Sequence, residues 1–303
     1  MTDLTVFQQK MRDLLPDMEL RFNEVLAKHT SFRIGGPAEV MAFPKSRGEL
    51  SALLKTSALL DCEPVILGAG TNVLAPDAGV AGIVICLKDC LDGMERVDET
   101  TIRVMGGVTM TRAAVYACNL GLSGLEFAHG IPGTVGGGIY MNAGAYGGEL
   151  CQICRSVEVM DLQGELHTLS SGEMEFSYRH SVLEDRFSIV VSADFTLEHK
   201  SSEEIRDRMK ELMGKRSASQ PLDKPSAGSA FKRPAAGYAA ALIDEAGLKG
   251  FRVGDAAISE KHAGFAVNLG NATATDVRAL LLQVSDIVFE RSGIRLEPEV
   301  RIW

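Results

Sequence analysis

The chain has 303 residues, 46% of them hydrophobic, enough to bury substantial cores and to fill two or three compact units. It carries 31 Lys and Arg against 40 Asp and Glu, a net charge of −9, with no Lys/Arg block, which argues against a nucleic-acid partner. Met1-Thr2-Asp3-Leu4-Thr5 lacks the basic-then-apolar pattern of a signal peptide, and no stretch approaches the ~20 apolar residues of a membrane helix, so a soluble, cytoplasmic protein with no membrane anchor is expected.

Leu4, Phe7, Met11 and Leu14 recur at helical spacing, and the chain is expected to turn extended near His29. Ser46-Arg47-Gly48-Glu49 has the form of a capping box opening a second helix. Pro64 to Leu67 and Gly82 to Leu87 read as buried strands, Thr101 to Met105 as a strand, and Thr109 to Leu120 as a helix stopped by Gly121. From Gly121 to Gly148 the sequence is loop text with ten glycines, too long for a connector unless it wraps a ligand. Ser156 to Leu162 and Glu165 to Leu169 form a hairpin across Gln163-Gly164, and Ile189 to Leu197 is another strand. A charged helix from Ser201 to about Arg216 marks a domain boundary, followed by a Pro/Ser/Gly segment to Pro234. The rest is a small alternating unit: a helix to Glu245, two strands, and a helix from Thr275 whose apolar face is Val277, Leu280, Leu281, Val284, Ile287 and Val288, stopped by Gly293. Leu296 to Trp303 alternates as a terminal strand, with Pro298 marking an edge or a break.

The six cysteines read as buried thiols. Cys151-Gln152-Ile153-Cys154 has redox or zinc spacing, but no second pair or His cluster accompanies it, and no metal is expected.

Leu67-Gly68-Ala69-Gly70-Thr71-Asn72 follows a strand, and paired glycines let backbone N–H groups approach a diphosphate. A Rossmann loop needs a third glycine and an immediate helix, but Val73, Pro76, Asp77 and Gly79 deny it one; no P-loop is present either. The second loop, His129-Gly130-Ile131-Pro132-Gly133-Thr134-Val135-Gly136-Gly137-Gly138, runs on to Asn142-Ala143-Gly144-Ala145-Tyr146-Gly147. So much glycine is entropically costly, and a large dinucleotide held by backbone contacts would offset that cost.

With Thr30-Ser31-Phe32-Arg33-Ile34-Gly35-Gly36, these loops resemble the UDP-N-acetylenolpyruvoylglucosamine reductase (MurB) family over about Lys28 to Ile302. Gly138 stands where that family would have Ala. The resemblance implies an α+β architecture: a FAD-binding fold of the vanillyl-alcohol-oxidase type in two subdomains (residues 28–93 and 94–205), a substrate-binding domain (206–303) and an N-terminal helical segment (1–27). It implies non-covalent FAD held by Gly68, Ala69, Gly70, Thr71, Asn72, Gly130, Gly133, Thr134, Gly136, Gly137, Asn142 and Gly144, with NADPH as co-substrate and no obligate protein partner.

The implied reaction adds hydride to the vinyl carbon of an enolpyruvyl ether on a UDP-sugar, so charge developing on the neighbouring carbon must be stabilised and that carbon protonated. Tyr178-Arg179-His180-Ser181 is similar to the family's Tyr-Arg-x-Ser segment, which makes Arg179 a planar cationic fork for the substrate carboxylate, beside Tyr178. Gly228-Ser229-Ala230-Phe231-Lys232-Arg233 matches a second family segment, making Ser229 the general acid and placing Lys232 and Arg233 towards the substrate diphosphate. Glu299 matches the third catalytic residue, a protonated carboxyl that donates to the enolate, with Glu297 left as a rival. His129, His180 and His262 take no role. The short stretch from Arg179 to Ser229 resembles the branch without a Tyr-bearing insert. Two other readings stand beside this one: a flavin oxidase of the related fold acting on a small alcohol, whose attaching His the first glycine loop lacks, and a catalytically silent nucleotide-binding module.

Overall fold

A computed structural model describes residues 4–88 and 90–303. The chain divides into two compact units: unit 1 is 1–22, 40–69 and 82–215, and unit 2 is 23–39, 70–81 and 216–303.

Unit 1 opens with α1 (Val6–Leu14), whose N-terminus is closed by a capping box between Thr5 and Gln8. The chain turns extended at Leu20, earlier than the periodicity suggests, because the alternating Leu20–Val25 segment forms a strand. In α2 (Arg47–Leu59) the Ser46 hydroxyl accepts from the Glu49 amide, but the Glu49 carboxylate reaches back to the Lys45 amide, one residue outside the expected box. A four-stranded sheet in the order Leu20–Val25, Pro37–Ala42, Val80–Cys86, Val65–Leu67 has its last pair parallel. Against it a first core gathers Met11 of α1, Leu50, Leu53 and Leu54 of α2, Ile83 and Ile85.

The second core of unit 1 backs a five-stranded antiparallel sheet in the order Leu166–Ser170, Cys154–Met160, Ile189–Thr196, Thr101–Met105, Met94–Arg96. The expected hairpin is there, with Val157 opposite Leu169. α3 (Met110–Asn119), capped by the Thr109 hydroxyl, buries Ala113 and Ala117 against Ile102, Val104 and Phe195. Burying a Val, Ile or Phe side chain contributes about 1.5–3 kcal/mol, so this packing, not helix propensity, holds the layer together. The glycine-rich stretch is not all loop: α4 (Val135–Tyr140) forms inside it, capped by the Thr134 hydroxyl, because Gly136 packs where a Cβ would lie 3.0 Å from the Gly106 carbonyl oxygen. α5 spans Ser202–Ser219, slightly beyond the expected end, and buries Ile205, Met209 and Leu212.

Unit 2 has a four-stranded antiparallel sheet in the order Ser226–Ser229, Phe265–Asn268, Ala256–Ile258, Arg252–Val253, with α6 (Ala239–Glu245) and α7 (Ala274–Ser292). The expected apolar face of α7 is buried at Val277, Leu280, Leu281, Val284 and Val288, with Ile287 half-buried. Gly293 ends the helix in the left-handed conformation, φ 73°. At the other end Asp77 accepts from the amides of Ala274 and Thr275 and from the Thr275 hydroxyl. Burial opposes the charge on Asp77, but these donors hold its carboxyl below the ordinary carboxylate range. Only Arg301–Ile302 of the closing segment is strand, paired in parallel with Val73–Leu74, because Pro298 breaks the run and makes an isolated bridge to Phe231.

No helix among the described residues is long and apolar enough to cross a membrane.

Candidate active site

In unit 1 the two glycine loops meet. A Cβ on Gly68 would lie 2.9 Å from the Thr134 Oγ1, and that hydroxyl, nearly fully buried, accepts from the Gly137 amide at 3.3 Å. Gly133, at φ 130°, gives its carbonyl to the Met110 amide, and Thr134 bridges Thr109, so the second loop enters α4 from fixed backbone. The carbonyl of His129, just before Gly130, accepts from the Thr111 hydroxyl at 2.6 Å.

At the far end of this loop, Asn142 is 1% exposed. Its side chain donates to the Glu149 carboxylate at 3.2 Å and the Ser177 carbonyl at 3.0 Å, and accepts from the Cys151 amide at 3.0 Å. Gly144 lies in a short ribbon, where Gly144–Ala145 pairs with Gly148–Glu149, and its carbonyl accepts from the Arg179 guanidinium at 3.3 Å. Arg179 adopts φ 56° in a turn closed by reciprocal hydrogen bonds between Ser177 and His180, with its guanidinium 5.1 Å from the centre of the Tyr178 ring. Tyr178 is 47% exposed. Unit 1 thus brings Arg179 and Tyr178 beside the Asn142 to Gly144 end of the glycine loop.

In unit 2, Gly70 has φ 63°, and a Cβ there would lie 2.1 Å from the His29 carbonyl oxygen. Glycine at 70 is therefore demanded by close backbone packing. Its carbonyl accepts from the Ser31 amide, and the Ser31 hydroxyl donates to the Ser226 carbonyl at 2.6 Å, fixing the first loop to the strand that ends at Ser229. Thr71 leads into Asn72, whose side chain donates to the Glu299 carbonyl at 3.2 Å and whose own carbonyl accepts from the Arg301 amide. The Glu299 amide donates to the carbonyl of Ala230, next to Ser229. Ser229 and Glu299 therefore sit on directly bonded segments. Lys232, from the same segment, is ion-paired with the exposed Glu297, and the Arg233 guanidinium lies 4.2 Å from the Tyr238 ring centre.

The start of the first loop suits a phosphate. Among the described residues no acceptor meets the amides of Gly68 and Ala69 in unit 1, and such successive free donors are what a bound phosphate oxygen satisfies.

Two further groups lie near these loops. Burial pushes the Cys154 thiol up to about 12 and also raises that of Cys151, so both remain protonated and are poor nucleophiles. Cys151→Ser with Cys154→Ala is expected to leave turnover within a few-fold of wild type in a steady-state NADPH assay; lost activity in a folded variant would give the pair a role. The Nδ1 of His129 is buried without a partner beside a cavity of about 190 Å³ lined by Cys118, Arg206 and Met209, and burial lowers its pKa, keeping the ring neutral.

Sequence reasoning missed the side-chain commitments of Asn72, Asn142 and Ser31. The only local signal was that Asn, which tolerates positive φ, stands at position 142 with φ 43°.

Residues 38–170 match a FAD binding domain family, and residues 220–303 match the C-terminal domain family of UDP-N-acetylenolpyruvoylglucosamine reductase. The chain is 45% identical over 300 residues, 98% of each chain, to the UDP-N-acetylenolpyruvoylglucosamine reductase of Caldanaerobacter subterraneus subsp. tengcongensis. Among solved structures it resembles the Thermus caldophilus UDP-N-acetylenolpyruvylglucosamine reductase (MurB), with TM-score 0.77 and 36% identity over 94% of this chain and 98% of that one. An alkyldihydroxyacetonephosphate synthase, at 16% identity and TM-score 0.51 over 66% of this chain and 42% of that one, shares the fold. The architecture is thus a FAD-binding fold of the vanillyl-alcohol-oxidase type followed by a C-terminal domain, and the chain belongs to the UDP-N-acetylenolpyruvoylglucosamine reductase family.

Proposed function

We propose that this chain reduces UDP-N-acetylglucosamine enolpyruvate to UDP-N-acetylmuramate in peptidoglycan precursor synthesis, with NADPH as donor and FAD as the bound carrier. The observation that carries the assignment of roles is the bonded pair of segments bearing Ser229 and Glu299, tied through Asn72 to the first glycine loop. On this reading residues 28–93 and 94–205 hold FAD and 206–303 take the UDP-sugar, in the cytoplasm and without an obligate protein partner.

The loops Gly68 to Asn72 and Gly130 to Gly144 would hold FAD, the second through the amides of Gly130, Gly133 and Thr134, since those of Gly136, Gly137 and Asn142 already donate to protein acceptors. FAD bound there would supply the hydride chemistry that links NADPH to the vinyl carbon of the substrate. Arg179 clamps the enolpyruvyl carboxylate with a charge that never titrates away. Glu299, protonated, donates to the enolate oxygen as charge builds there. Ser229 delivers a proton to the carbon that bore the charge. Lys232 and Arg233 take the diphosphate, and Tyr178 flanks the carboxylate site. Glu297 is turned to an exposed ion pair with Lys232, which favours Glu299 as the donor.

The test is anaerobic: NADPH should bleach the flavin of the purified protein, and the enolpyruvyl UDP-sugar alone should restore its colour with the lactyl ether as product. Bleaching without reoxidation by that substrate, or reoxidation only by oxygen, would defeat the reading.

A further inference from the structure

We propose that Asn142 is a positioning residue for Arg179 rather than a contact for the cofactor; this rests on the reading of Arg179 as the carboxylate clamp. Asn142 stands in the second glycine loop, where a dinucleotide contact was expected, yet its side chain is buried and three of its four hydrogen-bonding positions are taken by protein. The pattern admits one orientation: the oxygen faces the Cys151 amide, and the nitrogen faces the Ser177 carbonyl and the Glu149 carboxylate.

Ser177 is the residue from which the Arg179 turn springs. Arg179 holds φ 56°, a left-handed conformation that is uncommon outside glycine and persists when the surroundings impose it. Alternate residues of the glycine loop supply that restraint at three points. The Tyr140 carbonyl accepts from the Ser181 hydroxyl at 2.7 Å, Asn142 donates to the Ser177 carbonyl, and the Gly144 carbonyl accepts from Arg179 itself. The first and last of these bonds use loop carbonyls, which any residue supplies. The middle one requires a side-chain donor at 142. Aspartate there would keep the shape and the bond from Cys151, but would turn a carboxylate towards the Ser177 carbonyl and Glu149. The loop that borders the flavin site would thus also set the substrate's carboxylate clamp.

The experiment is a double-mutant cycle on FAD-loaded protein, combining Asn142→Asp with Arg179→Ala, repeated with Asn142→Gly, which suits the positive φ if the aspartate variant does not fold. Flavin content, bleaching by NADPH and reoxidation by the enolpyruvyl substrate are measured separately. Expected are near-stoichiometric FAD, bleaching within a few-fold of wild type, and reoxidation slowed about 10- to 100-fold, the loss typical of a misplaced group. In the Arg179→Ala background the change at 142 should then add less than about twofold, because both substitutions remove the same interaction. A full additive effect in that background would overturn the proposal, as would a variant that loses FAD yet reoxidises normally once saturated with it. If Arg179→Ala alone reoxidised at the wild-type rate, the clamp assignment would fall, and the role of Asn142 with it.

Discussion

Ser229→Ala is expected to be bleached by NADPH at close to the wild-type rate and then reoxidised by the enolpyruvyl substrate about 10²- to 10⁴-fold more slowly, the range for losing a positioned general acid. Passing reducing equivalents from NADPH to the flavin needs no proton at the substrate carbon, so only the second half of the cycle should feel the change. The structure gives Ser229 a fixed setting. It closes the strand Ser226–Ser229, pairs with Phe265, follows Gly228 at φ 82°, and precedes an amide bonded to the Gly264 carbonyl. Its side chain is exposed in unit 2, so removing the hydroxyl leaves no buried group unpaired and stability should hold. Substrate affinity should change little, since the hydroxyl acts mainly in the transition state. Stopped-flow absorbance separates the two steps. Reoxidation at the wild-type rate would remove Ser229 from the mechanism; a collapse of bleaching would make it a nicotinamide or flavin contact instead.

Elements governed by neighbours in sequence were legible, and those governed by distant partners were not. The helix after Thr109, the hairpin across Gln163-Gly164 and the apolar face of α7 follow from caps, turn residues and periodicity, each contained in a short window. α4 was hidden because its Gly136-Gly137-Gly138 core has poor helix propensity; the Thr134 cap and packing against Gly106 override it. The grouping of 23–39 and 70–81 with 216–303 rests on pairings such as Val73–Leu74 with Arg301–Ile302, which leave no trace in local composition. The site divides the same way. Glycine motifs flag where backbone approaches a ligand, and the family segments point to Arg179, Ser229 and Glu299. Nothing local shows that Asn142 reaches the Ser177 carbonyl or Asn72 the Glu299 carbonyl, because an asparagine's partner is chosen by the fold.

Glu299→Ala should slow reoxidation by the enolpyruvyl substrate about 10²- to 10³-fold, the loss seen when one donor to a developing oxyanion is removed, while bleaching by NADPH stays near normal. The two glutamates of Leu296-Glu297-Pro298-Glu299 differ in what holds them. The backbone of Glu299 is fixed on both sides, its amide donating to the Ala230 carbonyl and its carbonyl accepting from Asn72, so its side chain leaves from a rigid point beside Ser229. Glu297 is 71% exposed at its side chain and engaged by Lys232. Breaking such an exposed pair costs about 0–1 kcal/mol, so Glu297→Gln should leave both half-reactions within a few-fold of wild type. Glu299→Gln adds a sharper comparison. If Glu299 works as a neutral donor, the amide keeps an N–H for the enolate and the variant should fall between wild type and Glu299→Ala. If it worked as a carboxylate base, glutamine would be as poor as alanine. Stopped-flow reoxidation of the three variants at saturating substrate decides the matter, and a severe defect confined to Glu297→Gln would transfer the donor role to that residue.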